Sequence, residues 1–212
     1  MVTNTPQAST GANDAAQNIR REVFEFVRMV VLFLVLFLVL KTFVIEGYEV
    51  QGPSMEPTLH NSERILVFKL PHALGFDSIE PGDIVVFDST DDANKRYVKR
   101  VVAEGPRPEG GNTVSAVGEG SYGPRDVSVS LERGRLFVDH HLVEEPYLPE
   151  EIRDTFDASD PERELGAGQY YVLGDNRNVS KDSRSFGPVN DDVVIGKAVL
   201  RFWPLSKFSI LR

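Results

Sequence analysis

Ser54 lies in a segment that is rigid enough to present a hydroxyl group. It stands between Gly52-Pro53 and Pro57, in the run Gly52-Pro-Ser-Met-Glu-Pro-Thr-Leu59. Proline fixes its own backbone angle and glycine permits unusual ones, so this run predicts a tight turn rather than a strand. Such a turn can hold a serine hydroxyl clear of the backbone and leave neighbouring N–H groups free to bind an oxyanion. A plain turn without a catalytic role is the competing interpretation.

A lysine that could serve as a base follows in the run Arg96-Tyr-Val-Lys-Arg-Val-Val-Ala103. Strand alternation would place Tyr97, Lys99 and Val101 on one face. A lysine packed between an aromatic ring and a valine would be desolvated, and the pKa of its ammonium would fall. Its neutral amine could then accept the proton of a serine hydroxyl. A solvated charge on an outer strand face is the alternative.

The third candidate segment is the polar loop of residues 174–187, which follows an apolar strand. Its Asp, Asn, Ser and Arg side chains can hydrogen-bond the backbone and one another, which predicts an ordered loop, either functional or merely structural. Histidine offers a rival base for a serine-based triad. His60 is six residues from Ser54, and His140-His141 lie in a predicted hairpin turn.

Composition narrows the remaining chemistry. The chain of 212 residues contains no cysteine, which excludes thiol nucleophiles and thiolate metal sites. Its four histidines include no His-Glu-x-x-His spacing for zinc, so no metal site is predicted. The net charge is −9 without a basic block to offset it, which argues against a nucleic-acid partner.

The elements that must position these residues begin with an apolar N-terminal segment. Residues 1–22 are polar and predict a disordered cytoplasmic tail. Residues 23–46 contain an unbroken apolar run of twelve residues, Met29–Leu40, with charges near both ends. They predict a single transmembrane anchor, and the arginines that precede it place the N-terminus in the cytoplasm. A buried core helix and a cleaved signal peptide are the alternatives.

The pattern after the anchor is that of β-structure, so residues 47–212 predict an extracytoplasmic, mainly β domain built on an antiparallel sheet. Residues 104–168 are rich in Pro, Gly and acidic side chains and predict an inserted smaller subdomain or elaborated loops. Seven short runs rich in Val, Ile and Phe are the predicted strands: Arg64–Phe68, Asp83–Phe87, Tyr97–Ala103, Val127–Leu131, Arg135–Val138, Tyr170–Leu173 and Val193–Phe202.

Taken in order, these features resemble the type I signal peptidases, membrane-anchored serine proteases with a serine–lysine dyad. The resemblance rests on an anchor, Ser-Met-x-Pro-Thr, Gly82-Asp-x-Val-Val-Phe87, Tyr-Val-Lys-Arg, Gly-Asp-Asn-x-x-x-Ser-x-Asp-Ser-Arg and the closing run Gly196-Lys-Ala-Val-Leu-Arg-Phe-Trp-Pro204. It extends from the anchor to Pro204 and is weakest between residues 104 and 168.

The resemblance assigns roles residue by residue. It implies that Ser54 is the nucleophile and Lys99 the general base. It further implies that Ser180 orients the lysine and that Asp182 and Arg184 form a supporting ion pair. Some family members have a serine at the position of Gly52, and the hydroxyl of that serine completes the oxyanion hole. With glycine there, the hole is expected to depend on backbone N–H groups, with that of Ser54 as the first candidate.

The implied function is removal of signal peptides from exported preproteins at the cell membrane, after small residues of the Ala-x-Ala type. No metal or organic cofactor is implied, and the phospholipid membrane is an expected partner. The sequence leaves the oligomeric state open. Two alternatives remain. The first is a relative with the same dyad but a single dedicated substrate, such as a self-cleaving repressor or a maturation protease. The second is a catalytically silent membrane-tethered β module.

Overall fold

The computed structural model describes residues 10–69, 79–89, 95–106, 126–151 and 159–211. The chain divides into two compact units, one ending at Val44 and the other beginning at Ile45. The first unit contains helix α1 (Thr10–Val39) and a π-helical turn (Leu40–Val44). Neither glycine nor proline occurs between Gly11 and Gly47, so nothing in the sequence breaks this helix.

Helix α1 begins well before the predicted boundary. Residues 10–22 are helical, whereas the sequence predicted a disordered tail; residues 1–9 lie outside the described residues. Extending an established helix costs little, and an ion pair of 3.5 Å between Arg21 and Glu25 spans one turn of it. Across the described residues, no helix combines the length and the apolar character needed to cross a membrane.

The second unit consists mainly of antiparallel strands, as the sequence predicted. Its larger sheet has the order β1-β2-β11-β3-β4-β9-β10, and β12 pairs with β11. The bounds of these eight strands are β1 Ile45–Glu49, β2 Arg64–Phe68, β3 Ile84–Asp88, β4 Arg96–Glu104, β9 Gln169–Leu173, β10 Val189–Asn190, β11 Val194–Trp203 and β12 Ser209–Ile210. Among the described residues, three short helices lie between these strands, at Ser183–Phe186 (α2), Asp191–Val193 and Leu205–Lys207.

A smaller sheet is inserted between β4 and β9, within residues 104–168, for which the sequence predicted an inserted subdomain or elaborated loops. Its order is β7-β6-β5-β8, and every pairing is antiparallel. The strands are β5 Val127–Glu132, β6 Arg135–Val138, β7 His141–Leu142 and β8 Asp160–Leu165. Residues 107–125 and 152–158 of this region lie outside the described residues.

The larger sheet is strongly curled. Strands β2, β11 and β3 separate β1 from β4, yet Arg96 Nη1 of β4 donates a hydrogen bond of 2.9 Å to Tyr48 Oη of β1. Register shifts in β11 and β4 interrupt the ladders, and such bulges increase local twist and bend. The curl therefore turns the first strand of the sheet toward the strand that carries Lys99.

Apolar side chains on both faces of β3 hold this curled sheet together. Ile84 and Val86 belong to one buried cluster and Val85 and Phe87 to another. The first cluster fills the inside of the curl and comprises Val50, Met55, Leu59, Ile65, Val67, Ile84, Val86, Ala198 and Leu211. The smaller sheet packs through a third cluster that includes Leu131, Leu136 and Tyr171. Lys99 thus emerges from a strand that the core fixes in place.

Candidate active site

The turn that carries Ser54 is anchored at both ends. Met55 and Leu59 are fully buried in the core, and Leu59 N–H donates to Met55 O at 2.8 Å. Asn61 Oδ1 accepts a hydrogen bond of 2.9 Å from Gly52 N–H, which closes the beginning of the turn. Among the described residues, Ser54 N–H has no hydrogen-bond acceptor. The turn therefore presents the Ser54 hydroxyl next to an unengaged donor, as the sequence predicted for such a segment.

Lys99 reaches Ser54 from β4. A hydrogen bond of 2.9 Å joins Lys99 Nζ and Ser54 Oγ, and a second of 2.9 Å joins Nζ to Val98 O. The Lys99 residue is only 3% exposed, and its amine lies 5.4 Å from the ring centroid of Tyr97. Burial lowers the pKa of Lys99 from 10.5 to about 8, although the nearby Asp182 and Asp175 carboxylates favour the charged form. A substantial neutral fraction is therefore present near neutral pH.

The polar loop after β9 is hydrogen-bonded to the serine turn and fixes its position. Asn176 N–H donates a hydrogen bond of 3.1 Å to Ser54 O. Asp182 is fully buried; its Oδ2 accepts from Gly174 N–H at 3.0 Å, and Arg184 binds the carboxylate through Nε at 2.7 Å and Nη2 at 2.8 Å. The structure thus brings together the Asp182–Arg184 pair that the resemblance implied. This pair fixes the loop that in turn fixes Ser54.

Gly174 occupies the point where the loop and the serine turn come closest. A Cβ atom at this position would lie 2.5 Å from Ser54 O and closer still to the Oγ and Cβ atoms of Ser180. No side chain fits there, so glycine is required for steric reasons. The sequence analysis placed Gly174 in the candidate loop, but no signal in the sequence showed this close approach.

Ser180 does not make the contact that the resemblance implied. Its Oγ is buried and has no hydrogen-bond partner among the described residues. Gly174 and Ser180 are in close contact, so the serine packs at the junction instead of binding the Lys99 amine. In this arrangement the amine of Lys99 is oriented by Ser54 Oγ and Val98 O.

The backbone amide of Gly52 is occupied within the serine turn. Its N–H is engaged by Asn61, so it is not available to an oxyanion. The backbone at Gly52 has φ of +86°, a conformation that glycine adopts at little cost. Its contribution is therefore to the shape of the turn, and the Ser54 N–H remains the candidate donor.

A second set of buried charges, which the sequence analysis missed, supports the same loop. Arg100 binds Asp175 through two hydrogen bonds of 2.9 and 2.7 Å, and both residues are at most 1% exposed. Arg177 donates both to Gly174 O, at 3.0 Å, and to the carboxylate of Glu145. Glu145 precedes β8 in the inserted region, so the pairing crosses 32 positions of sequence and has no local signature.

The three histidines that the structure describes contact groups other than Ser54. His60 Nδ1 is 3.6 Å from Glu63, and His140 Nε2 is 3.6 Å from Glu162. His141 Nδ1 lies 2.7 Å from Asp139 O in the turn between β6 and β7, the hairpin that the sequence predicted. Among the described residues, no histidine is hydrogen-bonded to Ser54, so the geometry does not form the rival triad.

Ser54 and Lys99 line a cleft of about 700 Å³. Its two walls are strand edges. Within the described part of the chain, β1 pairs only with β2, and the Arg96–Lys99 half of β4 pairs only with β3. The cleft is lined by Tyr48, Glu49, Val50, Gln51, Ser54, Ile65, Val86, Asp88, Lys95, Arg96, Tyr97, Val98 and Lys99. An extended peptide between two such edges could pair with their backbone groups.

The chain is similar in sequence to known proteins. The family described as "Signal peptidase, peptidase S26" matches residues 23–114 and 125–203, and the chain belongs to this family of serine endopeptidases. Signal peptidase IB of Staphylococcus aureus (strain COL) is 33% identical over 205 residues, which cover 90% of this chain and 94% of that protein. Signal peptidase I of Bacillus licheniformis is 30% identical over 201 residues, covering 92% and 96%.

A solved structure of a signal peptidase I from Enterococcus faecalis V583 also aligns with the chain. The two are 23% identical, with a TM-score of 0.41, and the alignment covers 57% of this chain and 97% of that one. Membership of the family supports the cleavage of signal peptides from preproteins as the activity.

Proposed function

We propose that this chain cleaves signal peptides through a serine–lysine dyad, with Ser54 as nucleophile and Lys99 as general base. The observation that carries the proposal is the hydrogen bond of 2.9 Å between Ser54 Oγ and the buried Lys99 amine, two groups that line the cleft. A silent binding module would not need an amine with a lowered pKa at that position. The dyad therefore favours an enzyme over a binding protein.

The proposed reaction has two stages. Neutral Lys99 accepts the proton of Ser54 Oγ as the oxygen attacks the substrate carbonyl carbon, and the Ser54 N–H donates to the resulting oxyanion. The Lys99 ammonium then protonates the departing amine, which leaves an acyl-enzyme. In the second stage Lys99 accepts a proton from the water molecule that attacks the ester carbonyl, and the Lys99 ammonium returns this proton to Ser54 Oγ as the bond between the acyl carbon and Oγ breaks. Asp182 and Arg184 act by holding the loop that positions the serine.

We propose further that the cleft selects small residues next to the cut. The side chains of Val50, Val86 and Val98 line the cleft near Ser54, and they pack against the apolar core. A strand bound between β1 and β4 would direct alternate side chains at this apolar floor. Such a shallow surface accepts alanine at low cost, whereas larger side chains would have to displace the core residues beneath it. This supports an Ala-x-Ala type of preference.

Helix α1 is the proposed contact with the phospholipid membrane. Its apolar side chains from Val23 onward are exposed, and the exposed apolar surface extends to Leu40. At a helical rise of 1.5 Å these eighteen residues span about 27 Å, against about 30 Å for the hydrocarbon core of a bilayer. Arg20 and Arg21 precede this surface and favour a cytoplasmic N-terminus, with the second unit on the opposite side.

The test is cleavage of a purified preprotein with an Ala-x-Ala site by the full chain in detergent micelles. The wild-type chain should release the signal peptide at that site, and Ser54→Ala should abolish release. Ser130→Ala is a matched control, because Ser130 is also half-buried but lies on β5 in the smaller sheet. Equal cleavage by Ser54→Ala and Ser130→Ala would refute the assignment of the nucleophile.

A further inference from the structure

A turn of the inserted region reaches the polar loop behind Ser54. It consists of Glu145-Pro-Tyr-Leu148 and lies between β7 and β8; we call it the insert turn. Leu148 N–H donates a hydrogen bond of 3.0 Å to Glu145 O, and the Leu148 side chain is buried. The insert turn is therefore closed by its own backbone and anchored in the apolar interior, so its polar side chains extend from a fixed support.

Glu145 of the insert turn fixes the orientation of Arg177 in the loop. Its carboxylate accepts from Arg177 Nη1 at 3.1 Å and also from Nη2, while Tyr147 Oη donates to it at 2.6 Å. Glu145 and Arg177 are each only 3% exposed. A buried guanidinium without its carboxylate is strongly unfavourable, so the pair keeps Arg177 in place. In this orientation Arg177 Nε donates to Gly174 O at 3.0 Å.

Tyr147 provides a second contact between the insert turn and the groups that hold the loop. Its ring centroid lies 4.0 Å from the guanidinium carbon of Arg100, within the range of a cation–π contact. Arg100 in turn binds the Asp175 carboxylate through Nε and Nη2. The insert turn thus contacts both of the arginines that hold Gly174 and Asp175, the first two residues of the loop.

The beginning of the loop is in direct contact with the serine turn. Asn176 N–H donates to Ser54 O at 3.1 Å, and Gly174 lies so close to Ser54 O that a Cβ atom does not fit between them. A shift of these loop residues would therefore displace Ser54. Toward the other end of the loop, Arg163 Nη2 of β8 donates to Arg184 O at 3.2 Å. The inserted region thus holds the loop near both of its ends.

We propose that Glu145 is a positioning residue for the reaction, which acts through Arg177 to hold the loop, and with it Ser54, in place for attack on the substrate. This inference rests on the proposed function. Glu145 is not among the described residues that line the cleft, so its effect is on the turnover of bound substrate and not on substrate binding. The inserted region thereby contributes to catalysis although neither Ser54 nor Lys99 belongs to it.

Paired methionine variants of the full chain in detergent micelles separate position from stability. Glu145→Met leaves Arg177 buried without its partner, so the apparent Tm should fall by at least about 6 °C. Glu145→Met/Arg177→Met replaces the ion pair by two apolar side chains, so its Tm should return to within about 3 °C of wild type. Neither variant retains a fixed donor to Gly174 O, because Arg177 loses its orientation in the first and is absent from the second.

Cleavage of one Ala-x-Ala preprotein then reports the position of the loop. Each variant is assayed at a temperature at which it is folded. We expect kcat of both variants to fall by at least about tenfold, because a displacement of about 1 Å at a catalytic group costs about a hundredfold. KM should stay within about twofold of wild type, because the cleft itself is unchanged. Recovery of Tm without recovery of kcat is a result that a merely stabilising ion pair would not give.

Lys197→Met is the matched control. Lys197 Nζ forms an ion pair of 2.7 Å with Asp83, which is also buried, so this variant likewise removes the partner of a buried charge. In the part of the chain that the structure describes, no hydrogen bond or ion pair joins these two side chains to the loop. Lys197→Met should therefore lower the Tm and leave kcat unchanged.

Two results would overturn the positioning role. One is a double variant whose kcat returns to the wild-type value together with its Tm, and the other is a fall in kcat that Lys197→Met shares. A wild-type chain that does not cleave the preprotein would refute the proposed function, and the positioning role with it. Cleavage by the wild-type chain with the same kcat in Glu145→Met would refute the positioning role alone.

Discussion

Replacing Gly174 by Ala should lower activity about a hundredfold although it changes neither Ser54 nor Lys99. The new Cβ atom would lie 2.5 Å from Ser54 O, whereas such atoms ordinarily approach no closer than about 3.4 Å, so the two backbones must separate by about 1 Å. A displacement of this size at a catalytic group costs about a hundredfold in rate. The added methyl group should also lower the free energy of unfolding by about 1–3 kcal/mol, as overpacking does.

Cleavage kinetics and thermal unfolding of the same preparation distinguish displacement from unfolding. At a temperature where Gly174→Ala is fully folded, kcat/KM for one preprotein should fall about a hundredfold. Gly166→Ala is the control, since a Cβ there meets its nearest described neighbour, Gln169 Oε1, at an ordinary 3.6 Å. Near-wild-type turnover by Gly174→Ala would show that the contact between the loop and the serine turn does not position the nucleophile.

Three further predictions concern the charges around Lys99. Only the neutral amine of Lys99 works as a base, so kcat/KM should rise with pH along an acidic limb whose midpoint is about 8. An acidic limb with its midpoint near the ordinary pKa of histidine would contradict this assignment. The pKa of Lys99 is lower in the folded than in the unfolded chain, so unfolding binds protons between pH 8 and 10.5 and stability rises with pH across that window. Lys99→Met removes the cost of burying the ammonium, about 3 kcal/mol at neutral pH, but also removes two hydrogen bonds. Chemical denaturation at pH 7 should therefore show an inactive chain that is stabilised by about 1–2 kcal/mol. A less stable Lys99→Met chain would argue against a buried ammonium. Asp182→Asn removes a carboxylate that raises the pKa of Lys99, so the acidic limb should move to lower pH, while loss of the Asp182–Arg184 ion pair should cost about 3 kcal/mol of stability. An unmoved limb would show that Asp182 does not act on Lys99.

The parts of the fold that the sequence predicted are those with a strong local pattern. Arg64–Phe68 and Arg135–Val138 were predicted with their observed bounds, and five other strands were found to within one residue at each end. Strand β1 was missed because Ile45 and Glu46 were assigned to the anchor. Strand β8 was missed because Asp160–Leu165 is charged and lacks the apolar alternation of a typical strand.

The candidate site also contains residues that the sequence predicted and contacts that it did not. Ser54 and Lys99 stand in motifs with a distinct local pattern, and the structure brings their side chains into contact. The tertiary contacts of Gly174, Glu145 and Arg177 depend on chain segments that are far apart in sequence, so no local pattern announces them. Ser180 packs against Gly174 within the same loop, and it does not make the contact with Lys99 that the resemblance implied.

If the neutral amine of Lys99 takes the proton from Ser54, an arginine at position 99 cannot replace it, and the activity of Lys99→Arg decides the matter. Arginine keeps the positive charge and much of the length, but it does not lose its proton near neutral pH. Measured on one Ala-x-Ala preprotein at pH 8, kcat/KM of Lys99→Arg should fall by at least about a thousandfold, the scale of losing a general base, while the circular dichroism spectrum stays that of the wild-type chain. Turnover by folded Lys99→Arg within about tenfold of wild type, less than the loss of a general base costs, would contradict the account.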